Sequence, residues 1–73
     1  MRYIWKVMYN PSGSGAVPYY FAKYDDAEKF SKMDYADPPE PVTVPEEPGY
    51  PVQCYRSLYG AEHDTDWHYE FIK

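Results

Sequence analysis

The sequence predicts an α+β fold with the element order ββαββ, in which a four-stranded antiparallel sheet carries one short helix on one face. Three observations lead to this prediction. Residues near both ends of the chain alternate between apolar and polar types, as half-buried strands do. A segment after Asp25 has apolar residues at helical spacing. Residues 36–51 hold six of the eight prolines, which predicts a long loop in the middle of the chain.

The first hairpin is predicted from two strand-like segments, 2–9 and 17–23, joined by a turn that contains two glycines. Alternate residues of the first segment are aromatic or aliphatic, and they form one face of a strand. The most favourable register places apolar residues opposite one another on that face. It pairs Tyr9 with Val17, Val7 with Tyr19 and Trp5 with Phe21.

The helix is predicted to begin at Asp25, which is followed three residues later by Glu28. An aspartate N-cap and a glutamate at this spacing can satisfy two backbone N–H groups, and both acids complement the helix dipole. Phe30 and Met33 share the apolar face, and the helix is predicted to end near Tyr35. A helix of this length depends on packing against the sheet for its stability.

Residues 36–51 are predicted to form an extended, partly polyproline-II connector on the surface. Proline lacks the amide donor and restricts the preceding residue, so neither a helix nor a central strand is expected here. Val42 and Val44 are expected to attach the middle of the connector to the body. Its PxxP spacings could also serve as a ligand for an aromatic groove, but the acidic flanks favour a rigid, charged connector.

A second hairpin is predicted from residues 52–59 and 67–72, joined by a seven-residue polar tip. Placing Tyr59 opposite Trp67 gives one continuous aromatic face and also brings opposite charges together on the other face. The predicted helix then covers the aromatic face. The remaining pairs in this register are Ser57 with Tyr69, Tyr55 with Phe71, Arg56 with Glu70 and Cys54 with Ile72.

Length and composition predict one small domain, residues 1–73. Aromatic residues make up 21% of the sequence, and each ring can bury about 150–250 Å², so a core with few aliphatic residues is adequate. The single cysteine rules out an intrachain disulfide, which favours a reducing compartment. No targeting or membrane segment is evident, and a cytoplasmic location is expected.

Negative charge is concentrated in the second part of the chain. The net charge is −5, yet residues 1–32 hold five basic and three acidic side chains, whereas residues 33–73 hold two basic and nine acidic ones. An acidic surface repels phosphate, which disfavours direct nucleic-acid binding, and it attracts basic protein surfaces. The alternative interpretation is that this charge only maintains solubility.

A thiol enzyme would need a base within hydrogen-bond reach of Cys54. In the predicted second hairpin His68 lies beside Leu58, four residues along the strand and roughly 13 Å from Cys54. His63 is farther away, at the tip of the hairpin. Cys54 is therefore interpreted as a small buried core residue.

The turn at residues 62–66 combines three carboxylates with His63 and could attract a divalent cation. Its spacing matches neither a calcium loop nor a transition-metal site, so a solvated hairpin tip is favoured, and the metal question stays open. Residues 13–15, Gly-Ser-Gly, lack the lysine of a phosphate-binding loop and do not lead into a helix. The sequence therefore predicts no enzyme activity and no cofactor.

The functional prediction is a protein-binding surface built from carboxylates and tyrosines. Tyrosine contributes contact area at low entropic cost, while carboxylates select and steer a basic partner. A plain solvated surface is the alternative. The predicted partner-binding residues are Asp34, Tyr35, Asp37, Glu40, Glu46, Glu47, Tyr50, Tyr59, Glu62, Asp64 and Asp66.

In size, acidity and tyrosine-rich strands such as residues 3–9, the chain resembles the small acidic inhibitors encoded by phages and other mobile elements, including anti-CRISPR proteins. The helix start at residues 25–28 and the acidic second part belong to the same resemblance, which extends over the whole length. It implies an inhibitor that blocks a basic, nucleic-acid-binding surface of a host defence protein such as a CRISPR effector. The alternative is an assembly subunit, such as a virion component, that buries its aromatic surface by self-association.

Overall fold

The structure is a computed structural model that describes residues 2–72. Its strands form one sheet in the order β3-β1-β2-β4-β5, with all pairs antiparallel except β2–β4. The predicted α+β class is confirmed, but the four-stranded, all-antiparallel sheet with a single helix is wrong. The elements are β1 (Arg2–Tyr9), β2 (Val17–Phe21), α1 (Tyr24–Ser31), β3 (Glu40–Val44), β4 (Tyr50–Tyr55), α2 (Leu58–His63) and β5 (Trp67–Ile72).

The β1–β2 hairpin has the predicted register, with Tyr9 opposite Val17 and Trp5 opposite Phe21. Because this register places the apolar faces of both strands on the same side of the sheet, they can be buried together. Val7 and Phe21 are fully buried there. The hydrophobic pattern and the position of the turn together therefore predict this part of the fold.

Helix α1 is shorter than predicted, and its N-cap is Lys23, whose side chain makes no capping hydrogen bond. The predicted Asp25 cap is wrong, although Asp25 lies in the first turn and complements the helix dipole. Phe30 packs against the sheet as expected, with 3% of its surface exposed. Met33 lies beyond the end of the helix and is exposed.

Strand β3 forms inside the segment that was predicted to be an extended surface connector with neither a helix nor a central strand, and it adds an edge strand that the four-stranded prediction lacked. Pro41 is compatible with this strand because β3 is at the edge of the sheet. The Met8 carbonyl accepts a hydrogen bond from Asp37 on this side of β1, so the even-numbered residues of β1 point their backbone groups toward β3. Pro41 is opposite Trp5, an odd-numbered residue, and its missing N–H would have pointed outward. Val42 packs near Ile4, as the sequence predicted for the middle of the connector.

The predicted second hairpin is wrong by four residues in register. Tyr55 rather than Tyr59 is opposite Trp67, because residues 58–63 form helix α2 instead of continuing the strand. Ser57 is the N-cap of α2, and its hydroxyl accepts a hydrogen bond from the Gly60 N–H. A serine followed by Leu-Tyr-Gly-Ala is compatible with a helix start, and this local capping signal outweighs the strand-like composition. Since the register error is an even number, each strand residue keeps its predicted face.

The parallel β2–β4 pairing is short, and prolines explain its length. Ala22 donates its N–H to the Tyr55 carbonyl, so even-numbered residues of β2 point their N–H groups toward β4. The next such donor after Tyr20 would be Pro18, which has none. In the β4–β5 hairpin, the Arg56 N–H donates to the Asp66 carbonyl, so the even-numbered residues of β4 bond to β5. The odd-numbered residues of β4 therefore point their backbone groups toward β2, and one of them is Pro51, which has no N–H. Pairing is therefore limited to Tyr20–Cys54 and Phe21–Tyr55.

The sheet buries residues on both faces. One side, the helix face, holds a core of Val7, Phe21, Ala27, Phe30, Tyr55 and Ala61 beneath the two helices. The opposite face buries Ile4, Cys54 and Ile72. Among residues 2–72, no helical residue belongs to that second cluster. The edge strands β3 and β5 approach each other, so the curled sheet covers this face with its own strands.

Candidate binding surface

Three aromatic side chains of β5 lie exposed on the helix face. Trp67, Tyr69 and Phe71 are 36%, 60% and 47% exposed, although their strand neighbour Tyr55 belongs to the buried core. The Trp67 and Tyr69 rings contact each other edge to face, with centroids 5.1 Å apart. We call these three residues the β5 aromatic row. The sequence predicted that the helix would cover this face. Helix α1 does pack on this face, but mainly over β1 and β2, away from the β5 edge.

The turn after α2 places carboxylates beside the β5 aromatic row. The Asp64 carboxylate accepts hydrogen bonds from the Tyr55 hydroxyl at 2.8 Å and from the Gln53 amide at 3.0 Å. The cross-strand neighbours of Tyr55 and Gln53 are Trp67 and Tyr69. Asp64 therefore lies over the helix face, one strand away from the aromatic row.

The Asp64 contact affects the ionisation of Tyr55. Burial, followed by the hydrogen bond and negative charge of Asp64, raises the pKa of Tyr55 to about 12. Tyr55 is thus a neutral hydrogen-bond donor at physiological pH. Asp64 itself is in the left-handed backbone region, with φ of 52°, a conformation that aspartate and asparagine tolerate better than most residues.

All eleven predicted partner-binding residues are exposed, but the structure distributes them over three places. The first group follows α1 and lies at the hairpin end of β1, where Asn10 donates to the Tyr35 carbonyl. The second group lies on β3, in the loop after it and at the start of β4. The third group lies on α2 and in the turn after it, beside the β5 aromatic row. The groups are, in this order, Asp34, Tyr35 and Asp37; Glu40, Glu46, Glu47 and Tyr50; and Tyr59, Glu62, Asp64 and Asp66.

The first and third groups are at different ends of the sheet. Helix α2 follows Tyr55, whose strand neighbour Phe21 is opposite Trp5 in β1. The first group instead lies beside Asn10, which is five residues after Trp5 along β1 and the turn that follows it. At roughly 3.3 Å per residue this separation is about 16 Å. A single contact patch therefore does not contain both groups at close range.

Some of the predicted carboxylates have partners within the chain. Glu40 lies 3.6 Å from the Lys6 ammonium, and Asp66 lies 3.8 Å from the Arg56 guanidinium. Both pairs are exposed, so they leave much of the negative field available to a partner. Within residues 2–72, four of the predicted carboxylates have no side-chain hydrogen bond or ion pair, namely Asp34, Asp37, Glu46 and Glu62.

A cavity of about 430 Å³ lies at the Phe71 end of β5, near the loop after β3. Its charged lining residues are Arg2, Glu46, Glu47 and Glu70. Glu70 is buried, and Arg2 contacts both of its carboxylate oxygens, at 3.2 Å as a hydrogen bond and at 2.7 Å as an ion contact. Among the described residues that line this cavity, three are carboxylates and one is a cation, and the cation, Arg2, is paired with Glu70.

Cys54 and His68 are directly opposite each other, so the predicted separation of roughly 13 Å is wrong. The error follows from the register of the second hairpin. The ring nitrogens of His68 are nevertheless bonded elsewhere: Nδ1 accepts from Arg56 at 3.1 Å, and Nε2 lies 3.0 Å from the Glu70 carboxylate. Cys54 is fully buried, and burial, with a contribution from Glu70, raises the pKa of its thiol to about 11. This environment favours the neutral thiol over a nucleophilic thiolate.

The acidic turn at residues 62–66 does not converge on a common point. The His63 ring stacks on Tyr59 and bonds to its carbonyl, while Asp64 and Asp66 contact β4 residues and Arg56. Within residues 2–72, no group of three or more histidine, cysteine, aspartate or glutamate side chains is arranged to hold a metal ion. In the same range no helix is long and apolar enough to cross a membrane.

Sequence reasoning missed the exposure of Trp67, Tyr69 and Phe71. Their alternation identified a shared face, but whether a helix reaches that face depends on the order of the strands. The observed helix α1 has eight residues, which span about 12 Å, and it does not cover five strands spaced about 4.8 Å apart. No protein-family model, curated protein or solved structure matches this chain.

Proposed function

We propose that this protein binds a basic surface of another protein, one that contacts nucleic acid, and blocks that surface. The observation that carries this proposal is the β5 aromatic row exposed beside the acidic turn of residues 62–66. Exposed aromatic rings supply the contact area of an interface, while neighbouring carboxylates select a partner of opposite charge. The class of partner is a nucleic-acid-binding effector, such as a host defence nuclease of the CRISPR kind.

The charge of the chain supports a protein partner rather than nucleic acid itself. With a net charge of −5, the molecule repels phosphate and is attracted to surfaces that bind phosphate. A protein that occupies such a surface competes directly with nucleic acid for the same cations. Inhibition then needs no chemistry from the inhibitor, only affinity and correct placement.

The test is competition for the basic groove of purified nucleic-acid-binding effectors, measured by displacement of a fluorescent oligonucleotide at several salt concentrations. Glu62→Lys reverses an unpaired carboxylate in the last turn of α2, where the acidic segment 62–66 begins, and Asp34→Lys reverses an unpaired carboxylate at the other end of the sheet. Both variants change the net charge equally. We expect Glu62→Lys to weaken competition about tenfold and to reduce its salt dependence, and Asp34→Lys to have a much smaller effect. Equal losses, or none, would contradict binding through this surface.

A second candidate function is assembly through self-association, because three aromatic side chains on one edge strand are exposed. An edge strand with exposed rings is a common site of subunit contact. Sedimentation velocity from low to high micromolar concentration tests this candidate. A strict monomer over that range would rule it out, whereas a dimer that Tyr69→Lys abolishes would support it.

A further inference from the structure

Two strands are at the edges of this sheet, β3 and β5, and they differ in what they offer to another chain. The outward backbone groups of β3 belong to Pro41 and Thr43, and proline has no donor. Proline on an edge strand is a common protection against pairing with other chains. Strand β3 is therefore poorly suited to accept a further strand.

Strand β5 contains no proline, so all of its outward backbone donors are present. Arg56 donates its N–H to the Asp66 carbonyl, so the even-numbered residues of this hairpin point their backbone groups toward each other. The odd-numbered residues of β5 consequently point their N–H and C=O groups outward. These residues are Trp67, Tyr69 and Phe71, whose side chains also form the exposed β5 aromatic row. Among residues 2–72, only β4 is paired with β5.

We infer that β5 binds an extended, basic segment of the partner by strand addition, an inference that rests on the proposed function. The added strand would bond to the outward backbone groups of Trp67, Tyr69 and Phe71. Its side chains would alternate between the two faces, so every second one would lie over the aromatic row. Lysine or arginine at those positions would contact the face of Trp67 or Tyr69 and would be attracted by the negative charge of the nearby acidic turn.

Charge at both ends of the edge selects a basic segment over a second copy of this chain. Asp66 precedes the strand, and the cavity with Glu46, Glu47 and Glu70 lies at its Phe71 end. An antiparallel β5–β5 pair would bring the acidic start of one strand next to the acidic cavity of the other. Like charges in that arrangement oppose pairing. A strand carrying lysine at alternate positions would instead meet carboxylates at both ends of the edge.

The test is amide hydrogen exchange of the ¹⁵N-labelled protein with a synthetic eight-residue peptide in which lysine alternates with valine. We expect the amides of Trp67, Tyr69 and Phe71 to exchange about tenfold more slowly when the peptide is bound. The amides of His68 and Glu70, which already face β4, should not change. A control peptide with glutamate in place of each lysine should not protect the outward amides.

The possible results separate the two proposals. If the lysine peptide binds and Glu62→Lys weakens it, but the three outward amides are not protected, strand addition is wrong and the acidic binding surface stands. If the peptide does not bind, strand addition is also wrong. If the outward amides are already protected without peptide and lose protection on dilution, the occupant is a second copy of the chain, which overturns the choice of a basic partner strand. The proposed function is tested separately, by the effector competition. It is wrong if Glu62→Lys and Asp34→Lys weaken that competition equally or not at all.

Discussion

The guanidinium of Arg2 lies 2.7 Å from the carboxylate of Glu70, although the two residues are on strands that are not neighbours in the sheet. Strands β2 and β4 separate β1 from β5 in the sheet order. The contact is possible because the sheet curls and its edges approach each other. One charge pair thus spans the face that buries Ile4, Cys54 and Ile72.

Replacing Arg2 by methionine should destabilise the protein by about 1–2 kcal/mol, because it leaves a buried carboxylate without its cation. The loss is smaller than for a fully buried pair, since the Arg2 side chain is 62% exposed and His68 still contacts Glu70. Urea denaturation of both proteins at neutral pH measures it. Lys6→Met breaks the exposed pair with Glu40 and should cost at most about 0.5 kcal/mol. Equal costs for the two variants would show that the Arg2–Glu70 pair does not stabilise the curled sheet.

The folded protein should lose stability as the pH rises from 10 toward 12, in part because of Tyr55. Its folded pKa of about 12 lies above the ordinary value of 10.0, so its stabilising contribution is complete below pH 10 and disappears as the pH rises through the folded pKa. Asp64→Asn keeps a hydrogen-bond acceptor and the left-handed backbone but removes the charge. Tyr55 should therefore ionise at lower pH in Asp64→Asn, as followed by the ¹³Cζ shift of the ring. An unchanged titration would mean that burial alone raises the pKa.

Gly60 should not tolerate a side chain. A Cβ built on Gly60 would overlap the backbone carbonyl oxygen of Thr65. Thr65 is held in place because its N–H donates a hydrogen bond to the Gly60 carbonyl. Gly60→Ala should therefore lower the free energy of unfolding by about 1–3 kcal/mol, despite the better helix propensity of alanine. Thermal unfolding followed by circular dichroism measures this change. Glu62→Ala, an exposed change in the same helix, is the control and should remain within about 0.5 kcal/mol of the parent.

Replacing Pro18 by valine should lengthen the parallel pairing of β2 and β4. The new amide would point toward β4, where the carbonyl of Pro51 is the next acceptor in register. We expect the residue 18 amide to exchange at least about tenfold more slowly than that of a solvent-exposed residue. Pro41→Val provides the comparison, because its new amide would point outward from the edge strand. Fast exchange at residue 18 would show that the missing donor is not what ends the pairing.

The two hairpins show how much of this fold could be predicted from local pattern. The register of the first hairpin was predicted correctly because the position of its turn, together with the alternation in residues 2–9 and 17–21, limits the possible pairings. In the second hairpin, a shift of the register by four residues leaves every side chain on the same face of the sheet. Hydrophobic alternation therefore could not distinguish the predicted register from the observed one. The capping hydrogen bond of Ser57 and the close approach at Gly60 distinguish the two registers, and neither is recorded in the alternation of apolar and polar residues.

The sequence by itself determined the α+β class, the first hairpin, the buried Phe30 and the side of the sheet to which each strand residue points. Each of these follows from periodicity, which is a property of neighbouring residues. Only the tertiary structure decided that β2 and β4 pair in parallel, that β3 closes toward β5, and that the β5 aromatic row lies outside the area the helices cover. Strand order depends on which distant surfaces bury the most area together, and no local pattern records it. The candidate binding surface is therefore a product of that strand order, and its aromatic residues were visible in the sequence only as members of a strand.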